Sequence, residues 1–264
     1  MKASARIRRA TVLWFGAAAV FSMVLVPDVG IAGQPAGAPD NGGQGKVLRQ
    51  GQAARRQGPN GHHDHALPVA APQSLVAGKS ISDWTSDHIR WTVSFPVDAN
   101  PVFSDETGDL AYLGDVGGPV FFAGTASDVQ RQFQVPCGKY LLIPLLTQVA
   151  FLDEQITEEV ARAENSAFVD SVTTLYARID GRRVRNIFHH REASPDVFSV
   201  SIPNGGVLGD VGAQFDSVAD GYWLMIKPLP SGRHTIVFGG DSPAYEFGYH
   251  ARFEVTVPRG CRVH

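Results

Sequence analysis

The sequence predicts a mainly β protein: an antiparallel β-sandwich of jelly-roll or immunoglobulin-like type with a short helical insertion. Runs rich in Val, Ile, Phe and Tyr recur from residue 78 to residue 264, and Gly, Pro, Asp and Asn separate them at short intervals. Residues 247–257 alternate apolar and polar side chains, which is typical of a half-buried strand. A segment near 154–175 has helical spacing instead.

Residues 1–33 have the layout of a secretory signal peptide. Basic residues open the segment, an apolar run from Ala10 to Val26 follows, and small residues stand near Gly33. The apolar run approaches the roughly 17–25 residues that span a bilayer, so an uncleaved anchor is the alternative. We therefore expect a secreted or periplasmic protein that contacts a membrane only through this segment, if it is not cleaved.

Residues 34–77 predict a disordered linker. They are rich in Gly, Pro, Ala and Gln, so they cannot bury enough apolar surface to offset the entropy lost on ordering. The linker holds a cluster of His62, His63, Asp64 and His65, and imidazoles suit zinc, copper or nickel. A mobile tail lacks the surrounding groups that orient metal ligands. We therefore interpret the cluster as a solvated tail and predict no metal centre and no cofactor.

The charge argues against one class of partner. The chain has a formal net charge of −3. Removing the four basic residues and one acidic residue of the predicted signal peptide leaves about −6, and removing the four basic and two acidic residues of the linker leaves about −8. Binding to nucleic acid depends on neutralising phosphates. An acidic domain is unsuited to that role, so no nucleic-acid partner is predicted.

The predicted domain, residues 78–264, begins with three apolar segments. In "HIRWTVSF", Ile89, Trp91, Val93 and Phe95 alternate with polar residues, which predicts a strand. "GPVFFAGT" is a compact apolar run, and "RQFQVPCGKYLLIPLL" places two strand-like stretches around a Pro-Cys-Gly turn.

The segment "DEQITEEVARAENSAFVDSVTTLY" predicts the helical insertion. Its apolar residues stand near helical intervals: Ile156, Val160, Phe168, Val172 and Leu175. Thr157 is a suitable N-cap, and the acidic pair Glu158–Glu159 falls in the first turn, where the helix dipole favours negative charge. We expect Asn165–Ser166 to divide the segment into two helices.

The remaining segments predict antiparallel strands. "TLYARIDGRRVRNIF" indicates a hairpin, since Asp180–Gly181 suits the positive φ angles of a type I′ turn. "DVFSVSI", "GYWLMIKPL", "RHTIVFGG" and "EFGYHARFEVTV" complete the set.

The chain contains two cysteines, Cys137 and Cys261. Export permits their oxidation. A bridge between them would close a loop of over a hundred residues and stabilise the fold by about 4–5 kcal/mol. We predict this disulfide; two unpaired buried thiols are the alternative.

The chain carries a set of short motifs, most densely in residues 105–146, that recur in a known group of proteins. The motifs are Trp84 and Trp91, Asn100–Pro101, Asp105–Gly108, Gly118–Gly124 and Val135–Pro144, followed by "DGYWLMIKPLPSGRHTIVFGG". In this pattern the chain resembles a family of exported bacterial proteins without an assigned biochemical function. The resemblance spans most of the domain and implies a secreted β-rich domain. The cysteines depart from it, because the positions near Tyr112 and at Phe133 hold none and Cys137 is displaced.

The sequence lacks the common catalytic motifs of zinc proteases, α/β-hydrolases and nucleotide-binding proteins. A glycosidase would need two carboxyl groups about 5–9.5 Å apart, for which Asp241, Glu246 and Glu254 are the candidates. Acidic residues on loops and strand exteriors are, however, ordinarily solvated.

Two acidic loops contain oxygen ligands of the kind that calcium prefers. They are Asp105, Glu106 and Asp109, and Asp210, Asp216 and Asp220. Neither has the spacing of a dedicated calcium loop, so turn formation is the favoured interpretation.

Conspicuous histidines and aromatic residues have structural interpretations. His234 alternates with Ile236 and Phe238, which predicts a hydrogen-bonded structural histidine. Trp84, Trp91, Tyr222 and Trp223 could stack on sugars, but aromatic residues dominate the buried area of β-sandwiches.

Five arginines concentrate around the predicted hairpin: Arg178, Arg182, Arg183, Arg185 and Arg191. Alternation places Arg178 beside Arg183 and Arg185 on a solvent face, where guanidinium groups can bind carboxylates, sulfates or phosphates bidentately. We predict a ligand-binding set of Arg178, Arg183, Arg185 and Arg191. Solvated charge that protects a strand edge is the alternative.

These observations favour a secreted, non-catalytic binding or structural module of the envelope or extracellular space. Its expected partner is an anionic polysaccharide or another envelope component. The alternative is a secreted polysaccharide hydrolase that uses the carboxylates near the last two strands.

Overall fold

A computed structural model describes residues 12–14, 67–209 and 212–260 of the protein. Within these residues the fold is mainly β, with two five-stranded sheets, a two-stranded ribbon and two α-helices. The predicted fold class is confirmed at this level. Each five-stranded sheet is mixed, because one parallel pair joins the antiparallel pairs that the sequence predicted.

The strands follow the predicted apolar runs closely, with one exception discussed below. Their bounds are β1 Val12–Trp14, β2 Leu75–Val76, β3 Lys79–Ser80, β4 Val120–Phe122, β5 Val129–Gln134, β6 Tyr140–Phe151, β7 Thr174–Ile179, β8 Arg182–Arg183, β9 Phe198–Ile202, β10 Ala213–Ile226, β11 Gly232–Ser242 and β12 Phe247–Val257. The helices are α1 Ile81–Val93 and α2 Glu158–Asp170. Strands β2 and β3 form the ribbon.

The first sheet has the strand order β1-β6-β10-β9, with β4 parallel to β6. Its two long central strands are buried along most of their length, because both faces of this sheet are covered. Side chains on one face, such as Leu142 and Met225, pack in a hydrophobic cluster with residues of α1. Those on the other face, such as Leu145 and Leu224, pack with residues of the second sheet.

The second sheet has the order β5-β12-β11-β7-β8. The alternation predicted for residues 247–257 is confirmed, since every second side chain of β12 is buried. Asp180 and Gly181 join β7 to β8 with φ angles of 50° and 77°, as the predicted type I′ turn requires. The inner face packs against the first sheet, and the outer face presents polar side chains.

The strand predicted at "HIRWTVSF" is wrong, because these residues belong largely to α1. The Ser80 side chain accepts a hydrogen bond from the backbone N–H of Asp83 and caps the helix. Ile81, Thr85 and Ile89 then follow one another at intervals of four and are buried. The alternating residues 88–95 begin inside the helix, well after its N-cap at Ser80.

The predicted helical insertion exists, and its N-cap is Thr157 as expected, with Oγ1 accepting from the N–H of Val160. The expected break at Asn165–Ser166 is wrong, because α2 is one continuous helix. The Asn165 side chain is buried and donates a hydrogen bond to the Val218 carbonyl at 3.0 Å. This asparagine therefore anchors the helix to β10.

The predicted linker, 34–77, ends earlier than the sequence indicated. Its residues 67–77 are packed: Val69 forms a β-bridge with Ile226, and the Ala70 N–H donates to the Met225 carbonyl. Residues 34–66, with the histidine cluster, lie outside the described residues, as does the predicted signal peptide apart from β1. That strand pairs antiparallel with β6. Among the described residues, no helix is long and apolar enough to cross a membrane.

Candidate functional site

The hairpin of β7 and β8 brings two predicted arginines together. Arg178 and Arg183 are direct cross-strand partners, and both side chains are exposed on the outer face of the second sheet. Like charges placed opposite one another destabilise a strand pair. The pairing therefore has no explanation in the stability of the hairpin itself.

Arg185 follows this pair, two residues after Arg183 and beyond the end of β8. The Val184 N–H donates to the Ala177 carbonyl, and Val184 is buried on the inner side. Arg185 is exposed. We call Arg178, Arg183 and Arg185 the arginine triplet.

Beside the arginine triplet, Tyr176 and His250 form a flat aromatic surface. Tyr176 Oη lies 2.6 Å from His250 Nδ1, and the ring planes differ by 26° with centroids 6.0 Å apart. The two residues stand on β7 and β12, and Gly239 of β11 lies between them in register. A Cβ at Gly239 would lie 2.6 Å from Tyr176 Oη, so the tyrosine can cross β11 only because this position is glycine.

The tyrosine of this surface is held in its neutral form. Burial raises the pKa of Tyr176, and the nearby carboxylates Asp241 and Asp128 raise it further. The Tyr176 hydroxyl thus keeps its proton and can donate it to His250 Nδ1. We call Tyr176 and His250 the aromatic platform.

A further row of side chains borders the platform on this face. Val237 of β11 lies between Arg178 of β7 and Arg252 of β12 in register. Arg252 Nη2 is 3.2 Å from Glu254 Oε1, and both side chains are exposed. The outer face therefore combines exposed guanidinium groups with two flat rings.

Arg191, the fourth predicted arginine, lies elsewhere and is fully engaged. Its Nε and Nη2 donate to Asp220, at distances down to 2.6 Å, and Nη1 donates to Asp170 at 2.5 Å. A further bond joins Nη2 to Ser166 Oγ. The hydrogen bonds and charge of Asp220 raise the pKa of Arg191. The structure thus separates Arg191 from the arginine triplet and gives it a role in holding α2 to β10.

The carboxylates predicted for the hydrolase alternative do not all converge. Asp241 pairs with Gly248, and Glu254 pairs with Thr235. Six residues along β11 separate those positions, or about 20 Å at roughly 3.4 Å per residue. That exceeds the spacing of a glycosidase pair. Glu246 occupies the turn between the two strands, with a φ of 50°.

The acidic loops proposed for calcium have internal partners. Asp105 accepts from the N–H groups of Gly108 and Leu110 and closes a turn, as favoured above. Asp216 accepts from the Ser199 hydroxyl. Asp210 lies outside the described residues. Among those described, no group of three His, Cys, Asp or Glu side chains could hold a metal ion.

Cys137 stands in the turn between β5 and β6, with its Sγ 4.0 Å from the carbonyl oxygen of Pro258. Cys261 lies outside the described residues, three positions after that proline. The predicted bridge between Cys137 and Cys261 stays a prediction, and this contact brings the two chain segments close enough to favour it.

The histidine and aromatic residues with predicted structural roles pack within the fold, although the indole Nε1–H of Trp223 has no hydrogen-bond partner among the described residues. His234, predicted to be structural, contacts Asp180 Oδ2 at 2.8 Å and the Pro230 carbonyl at 2.9 Å. Trp91, Tyr222 and Trp223 are buried, as their interpretation as core residues requires, whereas Trp84 is only partly buried.

One buried histidine was missed by the sequence reasoning. His88 of α1 is surrounded by Trp91, Phe122 and Trp223, each with its ring centroid within 5.4 Å. Its Nε2 lies 3.0 Å from the Ala123 carbonyl oxygen. Burial lowers the pKa of His88 to about 4, so the ring is neutral at pH 7 and Nε2–H donates to this carbonyl. His88 lines a small cavity with room for about one water molecule.

The aromatic platform was also missed, although part of its signal is visible in the sequence. Tyr176 stands two residues before Arg178 and therefore shares its face of the strand. His250 falls on the predicted polar face of the last strand. The contact between Tyr176 and His250 depends on β11 lying between β7 and β12, and local sequence spacing does not predict this strand order.

Comparisons with known proteins add little to this geometry. No family model matches the chain, and no curated protein matches it. Among solved structures, the chain is similar to one in "Structure of PbICP-C in complex with falcipain-2", with a TM-score of 0.22 and 13% identity, over 53% of this chain and 99% of that chain. A likeness of this size carries no inference about fold or function.

Proposed function

We propose that this protein is a secreted, non-catalytic binding module, with its two sheets arranged as a β-sandwich, and that its outer face binds an anionic glycan of the cell envelope or extracellular space. The arginine triplet on the outer face of the second sheet is the binding site. The proposal agrees with the resemblance to exported bacterial proteins, which implies a secreted β-rich domain.

The availability of three neighbouring guanidinium groups is the observation that carries this proposal. Arg178, Arg183 and Arg185 are exposed, and the described part of the chain offers none of them a carboxylate within ion-pair distance. Within the described ranges, the one hydrogen bond of the Arg178 side chain is to the Gly181 carbonyl, at 3.4 Å. Their side chains are therefore available to an external acceptor.

The energetics favour a polymer over a small anion. A single exposed ion pair contributes roughly 0–1 kcal/mol, so one carboxylate or sulfate would bind the triplet weakly. A polyanion that contacts all three groups gains the sum of these contributions within one binding event. Repeated acidic groups along one chain therefore suit this surface.

The charge of the whole domain favours a glycan over a nucleic acid. Residues 78–264 carry a formal net charge of about −8, which repels dense polyanions. Duplex DNA carries one charge per roughly 1.7 Å of its axis. A glycan with one acidic group per sugar or per disaccharide has a lower charge density, so it meets less repulsion while still reaching the triplet.

The proposal can be tested by retention of the full chain on agarose that carries polygalacturonate. We expect retention that weakens as salt is raised, and its loss in the double variant Arg183→Ala/Arg185→Ala. The matched control is Arg90→Ala/Lys227→Ala, which removes the same charge from exposed positions outside the outer face.

The two variants separate local from overall charge. Retention lost in the first variant and kept in the control supports the arginine triplet as the site. Equal retention of the wild-type chain and both variants, independent of salt, would overturn the proposal. Equal loss in both variants would also overturn it, because overall charge rather than the triplet would then control binding.

A further inference from the structure

We infer that the aromatic platform, Tyr176 and His250, is a sugar-stacking subsite that takes the pyranose ring of an acidic sugar next to the arginine triplet. This inference deepens the proposed function and rests on it for the class of ligand. It assigns a role to two residues outside the arginine triplet.

The orientation of the tyrosine ring makes the platform suitable for stacking. Its tip passes over Gly239, where a Cβ would meet Tyr176 Oη at 2.6 Å and Cζ at 3.1 Å. The tip of the ring therefore lies over β11, and the side chain leans across the sheet. Most tyrosines on a strand instead stand roughly perpendicular to the sheet.

His250 extends the flat surface in the same direction. The contact of 2.6 Å between Tyr176 Oη and His250 Nδ1 joins the edges of the two rings, and their planes differ by only 26°. His250 is exposed and Tyr176 is half-buried. The hydrogen bond fixes both rings before a ligand arrives, so little side-chain entropy remains to be lost on binding.

The spacing between platform and arginines defines the ligand more closely. Arg178 lies two residues from Tyr176 on the same face of β7, or about 7 Å along the strand. A pyranose stacked on the platform thus has the Arg178 guanidinium group within reach on one side, where it can bind the carboxylate of the same sugar or of its neighbour, while Asp128 and Asp241 also lie near the platform. These features favour a chain of uronic acids.

The test is calorimetric titration of the full chain with trigalacturonate, at two salt concentrations. Removing the ring in Tyr176→Ala should weaken binding roughly 3- to 10-fold, which corresponds to the contribution of one aromatic contact. The salt dependence should stay that of the wild-type chain, because no charge is lost. Tyr176→Phe keeps the ring and should bind within about twofold of wild type.

Tyr112→Ala is the matched control, since Tyr112 is exposed but lies outside the second sheet. It should bind as wild type does. Unfolding of each variant in urea shows whether its fold is intact, and Tyr176→Phe supplies a second test of stacking if Tyr176→Ala is unstable. Loss of binding in Tyr176→Phe equal to that in Tyr176→Ala would contradict stacking.

The outcomes distinguish failure of the inference from failure of the proposed function. If Tyr176→Ala binds as wild type while Arg183→Ala/Arg185→Ala binds weakly and loses salt dependence, the platform is wrong and the arginine site stands. If the wild-type chain binds no trigalacturonate and is not retained on polygalacturonate, both are overturned. A ring-dependent loss in Tyr176→Ala supports the subsite.

Discussion

Arginine has two different roles in the interior and on the outer face of this protein. Arg131 of β5 is 3% exposed, and its guanidinium group donates to the carbonyls of Pro101, Val102 and Gly124 at 2.6–3.2 Å. Arg191, whose side chain is 32% exposed, is held by ion pairs with Asp170 and Asp220. Among the described residues, the arginine triplet has no comparable set of acceptors.

This difference separates arginines that complete the fold from arginines that the fold leaves available. A buried guanidinium group must find acceptors inside the protein, because an unpaired buried charge costs several kcal/mol. An exposed group is solvated and needs no partner. The direct opposition of Arg178 and Arg183 goes further, because like charges that face each other across a strand pair destabilise it.

The largest expected effect is at Arg131. Replacing it with alanine should lower the free energy of unfolding by about 3–5 kcal/mol, because three buried carbonyls lose their donor and the side-chain volume is left empty. Urea denaturation measures this change. The folded fraction should still be retained on polygalacturonate, since the arginine triplet is unchanged. A loss below about 1 kcal/mol would show that the buried hydrogen bonds of Arg131 contribute little to the stability of the fold.

His88 is another buried polar side chain, and it should make the free energy of unfolding depend on pH. His88 has its pKa lowered from 6.5 to about 4 by burial, so between these values the unfolded chain binds a proton that the folded chain excludes. The free energy of unfolding should therefore be independent of His88 titration above pH 6.5. It should fall by about 3 kcal/mol in total as the pH drops towards 4.

The matched variant for this prediction is His88→Gln, which keeps a side-chain donor near the Ala123 carbonyl. Its free energy of unfolding should be lower at pH 7, but the difference from wild type should shrink as the pH falls from 6.5 to 4. A constant difference across this range, measured by urea denaturation, would show that His88 does not titrate as its burial predicts.

Arg191 should show a smaller but clear effect on stability. Arg191→Ala leaves Asp220, whose side chain is 9% exposed, without its bidentate donor and should cost about 2–3 kcal/mol. Arg191→Lys keeps the charge but loses the paired geometry, so about half of that loss should remain. Equal stability of both variants and wild type would mean that Arg191 belongs with the available arginines instead.

The smallest effect has the opposite sign. Arg183→Ala removes the like charge that faces Arg178 and should leave stability unchanged or raise it by about 0.2–1 kcal/mol. The matched control is Arg252→Ala on the same sheet, which removes an arginine paired with Glu254 and should cost up to about 1 kcal/mol. A loss above 1 kcal/mol in Arg183→Ala would show that the hairpin needs this arginine for its fold.

The sequence predicts those parts of this fold that depend on near neighbours. Alternation in residues 247–257, the Asp180–Gly181 turn and the Thr157 cap are each contained within a few positions, and all three are found. The pairing of Arg178 with Arg183 follows from that turn as well. The helix α1 was not predicted because its N-cap, Ser80, lies before residues 88–95, whose alternation indicated a strand.

Long-range strand order limits prediction of the candidate site. The aromatic platform requires β7 and β12 to flank β11, with Gly239 aligned to both, and no local pattern expresses this arrangement. Arg191 is close to the triplet in sequence, yet the turn of chain after Arg185 carries it to Asp220. Charge clustering in sequence therefore identified the Arg178–Arg183 pair on one face but wrongly placed Arg191 with it.

The most direct test of the central claim is to map the binding surface by nuclear magnetic resonance. Isotope-labelled full-length protein would be titrated with trigalacturonate, and amide shifts would be followed by residue. The account predicts the largest shifts at residues 176–185 and 250–252, which form adjoining parts of the outer face. Shifts concentrated in α1 or around Glu246, with the arginine triplet unaffected, would contradict it.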